Sequence, residues 1–103
     1  MANPRGVEIY TWESCPYSQR AKRILEGAPE EEGLEPGEFI EFQELMIEGD
    51  PRAREEMVRR CEGHRTVPQI LVDGERVGGC FDLVAAVQNR TFRDIFAPYI
   101  RRK

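Results

Sequence analysis

Val7-Glu8-Ile9-Tyr10-Thr11-Trp12-Glu13-Ser14-Cys15-Pro16-Tyr17-Ser18-Gln19-Arg20-Ala21-Lys22 is the stretch that decides the fold. Its first five residues alternate apolar and polar and are rich in β-branched and aromatic types, so they suit a strand. From Pro16 to Glu26, Ala21, Ile24 and Leu25 fall at helical spacing among arginine and lysine. Pro16 fits the first helical position, where its missing N–H costs nothing. Cys15 therefore sits between a strand and the N-terminus of a helix. There the unpaired N–H groups and the helix dipole favour the thiolate, which is the nucleophilic form. Arg20, Lys22 and Arg23 add positive charge nearby. The competing reading of a cysteine at this point is a small buried apolar residue.

Outward from this unit, strands and helices continue to alternate. Gly27 to Gly37 reads GAPEEEGLEPG, a turn-rich acidic loop taken as a solvated surface insertion. Phe39 to Leu45 reads as a second strand. Asp50-Pro51 is a helix start, with Asp as N-cap and Pro at the first helical position. Met57 and Val58 give that helix a modest apolar face, and it is expected to end near Gly63. Gln69 to Val72 is a third strand, Asp73-Gly74 a two-residue hairpin turn, and Arg76-Val77 a short fourth strand. Asp82 is placed to cap a helix containing Leu83, Val84 and Val87. Thr91 to Arg102 carries Phe92, Ile95, Phe96 and Tyr99 at helical intervals and reads as a last helix. The order βαβαββαα predicts an α/β fold: a four-stranded mixed sheet with helices on both faces.

At 103 residues the chain is long enough for one hydrophobic core, so residues 1–103 are expected to form a single domain. Apolar residues make up 40% and charged residues 33%, as in a soluble globular protein. The formal net charge is −4 with acid and base interspersed, which does not suit a nucleic-acid-binding surface. No apolar run approaches the roughly 18 residues a membrane helix needs. The start, MANPRGVEIY, has no hydrophobic core for a secretory signal. The expectation is therefore a monomer working in the cytoplasm. Cys15, Cys61 and Cys80 are an odd number at unrelated spacings, which is not a disulfide framework. There is one histidine, His64; no Cys/His cluster has metal-ligand spacing, and His64 reads as a surface residue.

Two further segments carry chemistry. In Thr66-Val67-Pro68, the proline ahead of a strand is either an ordinary edge proline or a cis proline in a tight turn. Cis occurs in only about 5–6% of X–Pro bonds, which favours the ordinary case. If Pro68 faces Cys15, the Val67 N–H and C=O can pair with an extended peptide as one more strand. In Gly78-Gly79-Cys80-Phe81-Asp82, the glycines admit a close backbone approach. The following N–H groups open a helix and can hold a carboxylate. The Asp82 carboxylate can accept from an ammonium group, so together they would suit an amino-acid head group. The plain alternative is a turn followed by a helix cap.

IYTWESCPYSQRAK, TVPQILVDGERVGG and GGCFDL, in this order and at these separations, resemble the glutaredoxins over roughly residues 7 to 100. The resemblance implies a thioredoxin-like fold and glutathione as cofactor, with glutathionylated proteins or small disulfides as partners. Carried over, Cys15 matches the catalytic nucleophile and Tyr17 the aromatic that flanks it. Thr66, Val67 and Pro68 match the segment that pairs with the glutathione backbone. Cys80, Phe81 and Asp82 match the segment that holds the γ-glutamyl head group.

Three departures qualify the match. Ser18 stands where many members have a second cysteine, which implies a one-cysteine route with Cys15 alone; if Ser18 replaces an original cysteine, the parent adds a two-cysteine route. Trp12 stands where many relatives carry a lysine that helps bind a glutathione carboxylate, which shifts that role to another cation, Arg65 before Arg23. The acidic loop is longer than the usual turn. Cys61, which closes a helix, reads as structural; Cys80 is expected near the ligand groove, in packing or backbone contact, with a disulfide to Cys15 or uptake of glutathione as the alternatives. The rival reading is a dimer holding an iron–sulfur cluster through one cysteine per chain and two glutathiones. Pro16 argues against it, because cluster-binding relatives usually carry a smaller or more flexible residue there. A redox sensor that accepts glutathione without turnover is the third reading.

Overall fold

The computed structural model describes residues 6–103. The reading of the first five residues as part of a start without a signal lies outside them. Strand β1 (Val7–Thr11) is central in a four-stranded sheet of order β3-β1-β4-β5. It runs parallel to β3 (Phe42–Met46) and antiparallel to β4 (Gln69–Val72), which in turn pairs antiparallel with β5 (Glu75–Gly78). The β4–β5 link is the expected hairpin, with both Asp73 (φ 52°) and Gly74 (φ 86°) in the left-handed region that such a two-residue turn requires.

The two faces of the sheet are covered by different helices. Val7, Ile9 and Ile70 face α1 (Pro16–Glu26) and α3 (Cys80–Gln88), packing with Ala21, Ile24, Leu25 and Leu83, and Phe92 and Phe96 of α4 (Phe92–Phe96) close this layer. Tyr10 and Leu71 face the other way, against Met57 and Cys61 at the end of α2 (Pro51–Arg60). The result is the thioredoxin-like arrangement, a mixed sheet between helices.

Local chemistry explains the element boundaries. Cys15 is the N-cap of α1, with Pro16 following it at the first helical position. The helix stops at Gly27 (φ 72°), whose N–H and that of Ala28 return to the Ile24 and Arg23 carbonyls. A Cβ at Gly27 would stand 2.1 Å from the Glu38 carbonyl oxygen, so the tight passage out of α1 demands glycine. Asp50 caps α2 by accepting from the Ala53 N–H at 3.1 Å.

The structure corrects several sequence readings. The stretch Phe39 to Leu45 is not one strand. It divides at Glu41 into β2 (Glu38–Ile40) and β3, and the Glu41 N–H bonds the Tyr99 carbonyl at 3.0 Å. The last segment is not one helix either. α4 gives way to a 3-10 turn (Ala97–Tyr99) and then to β6 (Ile100–Arg102), which pairs antiparallel with β2. Pro98 has no N–H to continue the helix and crowds the carbonyl of the preceding turn. The helical spacing of Phe92, Ile95, Phe96 and Tyr99 is satisfied by the short helix and turn. Glu8, read as the polar side of a half-buried strand, is only 3% exposed. Arg60 of α2 donates to both of its oxygens, at 2.6 and 3.2 Å, and to the Tyr10 hydroxyl at 2.9 Å.

The acidic loop is also less free than a solvated insertion. Glu30 and Glu31 pair with Arg23 and Arg20 of α1, and Leu34 packs onto the core. Just beyond it, buried Glu38 is held by Arg93, at 2.7 and 3.1 Å, with Arg102 at 3.6 Å. The Arg93 bonds, with help from the Glu35 N–H, pull its carboxyl from 4.5 to about 2. Because the folded value is depressed, the pair contributes stability fully above 4.5 and loses it as pH falls through about 2. The urea midpoint of Arg93→Leu is therefore expected below that of the wild type at neutral pH. The gap should narrow as the buffer is brought toward pH 2; a pH-independent gap refutes the pairing.

Among the described residues, no helix is long and apolar enough to cross a membrane.

Candidate active site

Cys15 is partly exposed at the start of α1, with its Sγ 3.9 Å from the Val67 carbonyl oxygen. The turn that carries it is fastened from several directions. Its N–H bonds the Trp12 carbonyl at 3.2 Å, Gln19 donates to the Glu13 carbonyl at 2.9 Å, and Ser14 donates to Glu48 through N–H (3.1 Å) and hydroxyl (2.6 Å). The Ser14 hydroxyl, then its N–H, hold the Glu48 carboxyl below its ordinary range. Ser18, one turn into α1, is fully buried, and its Oγ accepts the Trp12 N–H at 3.2 Å.

Val67–Pro68 is a cis peptide. The Thr66–Pro68 segment abuts the start of α3, as a Cβ on Gly79 would lie 3.1 Å from the Pro68 carbonyl oxygen. Asp82 is not the N-cap of α3. It stands at the third position of the helix, and its carboxylate accepts the N–H of the N-cap Gly79 at 2.8 Å. Gly78 (φ 134°) leaves room for that carboxylate, since a Cβ there would fall 2.3 Å from its oxygen. Asp82 is exposed, and one bond leaves acceptor capacity on a carboxylate.

Between these two segments lies a groove of about 350 Å³, lined by Tyr17, Thr66, Val67, Pro68, Cys80, Phe81 and Asp82. Tyr17, the Thr66–Pro68 segment and the Cys80–Asp82 segment thus meet in one place, with Cys15 bordering the groove through Val67. Burial pushes both the Cys61 and Cys80 thiols up, so they stay protonated at neutral pH. Cys61 is a wholly buried core residue at the end of α2, and His64 is exposed.

Sequence reasoning missed two parts of this region. Gln69, 1% exposed, donates from Nε2 to the Thr66 carbonyl (3.0 Å) and hydroxyl (3.2 Å), and accepts from Arg76 Nε at 2.8 Å. It fixes the segment beside Cys15 from behind. The available signal was a polar residue opening an otherwise apolar strand. The second is a neighbouring cavity of about 480 Å³, where Trp12, Ile47 and Val58 meet Arg54 and Arg65. The Trp12 indole Nε1 is buried with no hydrogen-bond partner among the described residues. Arg65 and Arg54 both line this cavity beside Trp12. Arg23 is engaged by Glu30.

A partly exposed thiol at a helix N-terminus, beside a groove edged by main-chain groups in a thioredoxin-like fold, defines the thiol–disulfide oxidoreductases. The glutaredoxin family model matches residues 7–77. Glutaredoxin 3 of Escherichia coli K12 is 47% identical over 85 residues, covering 82% of this chain and 86% of that one. The solution structure of a glutaredoxin from Brucella melitensis is 34% identical, with a TM-score of 0.65, and covers 88% of this chain and 87% of that one. The crystal structure of a buckwheat glutaredoxin–glutathione complex, 17% identical, shares the fold with a TM-score of 0.71, covering 93% and 78%. The chain belongs to the glutaredoxin family and is a glutathione-dependent thiol oxidoreductase.

Proposed function

We propose that this chain reduces glutathione mixed disulfides by a one-cysteine route, with Cys15 as the nucleophile. The observation that carries this reading is the position of the Cys15 sulfur: at the N-terminus of α1, 3.9 Å from the Val67 carbonyl, on the lip of the groove between Thr66–Pro68 and Gly79–Asp82. The helix N-terminus favours negative charge on that sulfur. The groove offers peptide groups for an extended backbone, helix N–H groups for a carboxylate and Asp82 for an ammonium. Arg54 and Arg65 suit the carboxylate at the other end of the tripeptide.

Cys15 thiolate attacks the glutathione sulfur of the mixed disulfide. The S–S bond breaks, the partner thiolate leaves and takes a proton, and Cys15 becomes disulfide-bonded to glutathione. The thiolate of a second glutathione then attacks the glutathione sulfur of this adduct. That releases Cys15 as thiolate and forms oxidised glutathione, so one mixed disulfide and one glutathione become one thiol and one glutathione disulfide. Ser18 supplies no thiol, and its hydroxyl is committed to the Trp12 N–H. The route consumes reduced glutathione, which supports a cytoplasmic setting.

Incubation of the protein with oxidised glutathione tests the assignment. Intact mass is expected to rise by one glutathione, mapped by peptide analysis to Cys15 and absent in Cys15→Ser. An adduct on Cys61 or Cys80 instead refutes it.

A further inference from the structure

Two tight turns are joined by one side chain. The first, Trp12 to Cys15, is closed by the Cys15 N–H on the Trp12 carbonyl and leads the sulfur into α1. The second, Ile47 to Asp50, links β3 to α2 and is closed by the Asp50 N–H on the Ile47 carbonyl at 3.0 Å. This second turn is anchored at both ends. Ile47 is buried and its N–H bonds the Thr11 carbonyl at 2.9 Å, while Asp50 caps α2. Glu48 reaches from it to the first turn. One carboxylate oxygen accepts the Ser14 hydroxyl and the other the Ser14 N–H, with a smaller contribution from the Glu13 N–H. These N–H groups belong to no helix or strand, so an acceptor from elsewhere in the chain is what fixes them.

Glu48 lines neither the groove nor the neighbouring cavity, so it is not a ligand-binding group. A carboxylate bound beside a nucleophilic sulfur does not favour the ionised form, so acidity is not what Glu48 supplies. What it supplies is direction. In thiol–disulfide exchange the attacking sulfur approaches along the axis of the disulfide bond, and a misdirected nucleophile loses rate steeply. We infer that Glu48 is a positioning residue for the reaction of Cys15: by fixing Ser14 against the β3–α2 turn, it sets the direction from which the Cys15 sulfur meets a disulfide held in the groove. This rests on the proposed deglutathionylation at Cys15. Glu48 acts through Ser14 and does not touch the substrate.

The test compares Glu48→Ala, Glu48→Gln and Glu44→Ala with the wild type. Glu44 is the control, because its carboxylate also ties β3 to its neighbours, through the Thr11 hydroxyl at 2.7 Å and Lys22 at 3.1 and 3.2 Å, but away from the Cys15 turn. Both glutamates are exposed, and urea unfolding verifies that each variant is folded. Two rates are read: kcat/KM for a glutathionylated peptide in reduced glutathione, and alkylation of Cys15 by iodoacetamide, located by peptide mass. Alkylation reports the thiolate and its exposure but not its alignment with the groove. In Glu48→Ala, kcat/KM is expected to fall about tenfold while alkylation stays at the wild-type rate. Glu48→Gln is expected to restore most of the turnover, since its amide accepts the Ser14 N–H and donates to the Ser14 hydroxyl. Glu44→Ala is expected to keep the wild-type kcat/KM. Wild-type turnover in Glu48→Ala, alkylation that slows in step with turnover, no recovery in Glu48→Gln, or an equal loss in Glu44→Ala overturns the positioning role while leaving deglutathionylation at Cys15 intact. No turnover of the peptide by the wild type overturns the proposed function and the positioning role with it.

Discussion

Replacement of Cys15 by serine is expected to reduce turnover of a glutathionylated substrate to the uncatalysed rate of exchange with free glutathione. A serine hydroxyl is not ionised near neutrality and forms no disulfide, so the first half of the reaction loses its nucleophile and the second has no mixed disulfide to resolve. The loss should not come from unfolding. Cys15 occupies the N-cap of α1 without a side-chain capping bond, and serine is among the preferred residues there. The variant is expected to be as stable as the wild type or up to about 1 kcal/mol more stable. Cys61→Ala, which alters a buried residue away from the groove, should keep its turnover. Coupled turnover assays and urea unfolding on the same preparations separate these effects. A Cys15→Ser protein that retains substantial turnover rules out the one-cysteine route through Cys15.

The largest loss of stability is expected from Arg60→Leu. Glu8 lies in the central strand with a side chain 4% exposed, and the Arg60 guanidinium, itself 15% exposed, meets both of its oxygens. The Glu8 bonds also hold the proton on Arg60, whose pKa is raised further, against the opposing cost of burial. Leucine removes both charge-assisted bonds and the one to Tyr10, while the carboxylate stays in the sheet. The three lost hydrogen bonds, two of them charge-assisted, should cost about 2–3 kcal/mol, a large share of the 5–15 kcal/mol typical of a domain. The double variant Glu8→Leu/Arg60→Leu should recover much of this loss, because two apolar groups replace a buried ion pair. Chemical denaturation of the three proteins measures both effects. A loss below about 1 kcal/mol in Arg60→Leu excludes the pair as a major contributor.

Much of the architecture was legible because its signals are local. Cys15-Pro16, Asp50-Pro51 and Asp73-Gly74 each act over a few residues, through N–H capping, a fixed φ or a left-handed turn, and each does in the structure what its chemistry predicts. What escaped is set by distant partners. Nothing at Glu41 announces that the strand divides there, because the cause is the return of the chain end at Tyr99 to Arg102. Glu8 looks like a solvent-facing residue until Arg60, 52 positions away, is brought against it. The site divides in the same way. Its contiguous motifs were readable one by one, whereas the support of Thr66 by Gln69 and Arg76, and the joining of Trp12, Arg54 and Arg65 around one cavity, arise only when the sheet and α2 assemble.

The buried hydroxyl of Ser18 has a consequence for kinetics. On the proposed one-cysteine route, with no thiol one turn along α1, the glutathionylated state is cleared by glutathione arriving from solution, so its lifetime scales inversely with the concentration of free glutathione thiolate. At equilibrium, forming the adduct from oxidised glutathione exchanges one disulfide for another, so its occupancy follows the ratio of oxidised to reduced glutathione. By the proposed route the protein is then a gauge of its surroundings as well as a catalyst, idling in its capped form when the pool turns oxidising and returning to service when it recovers.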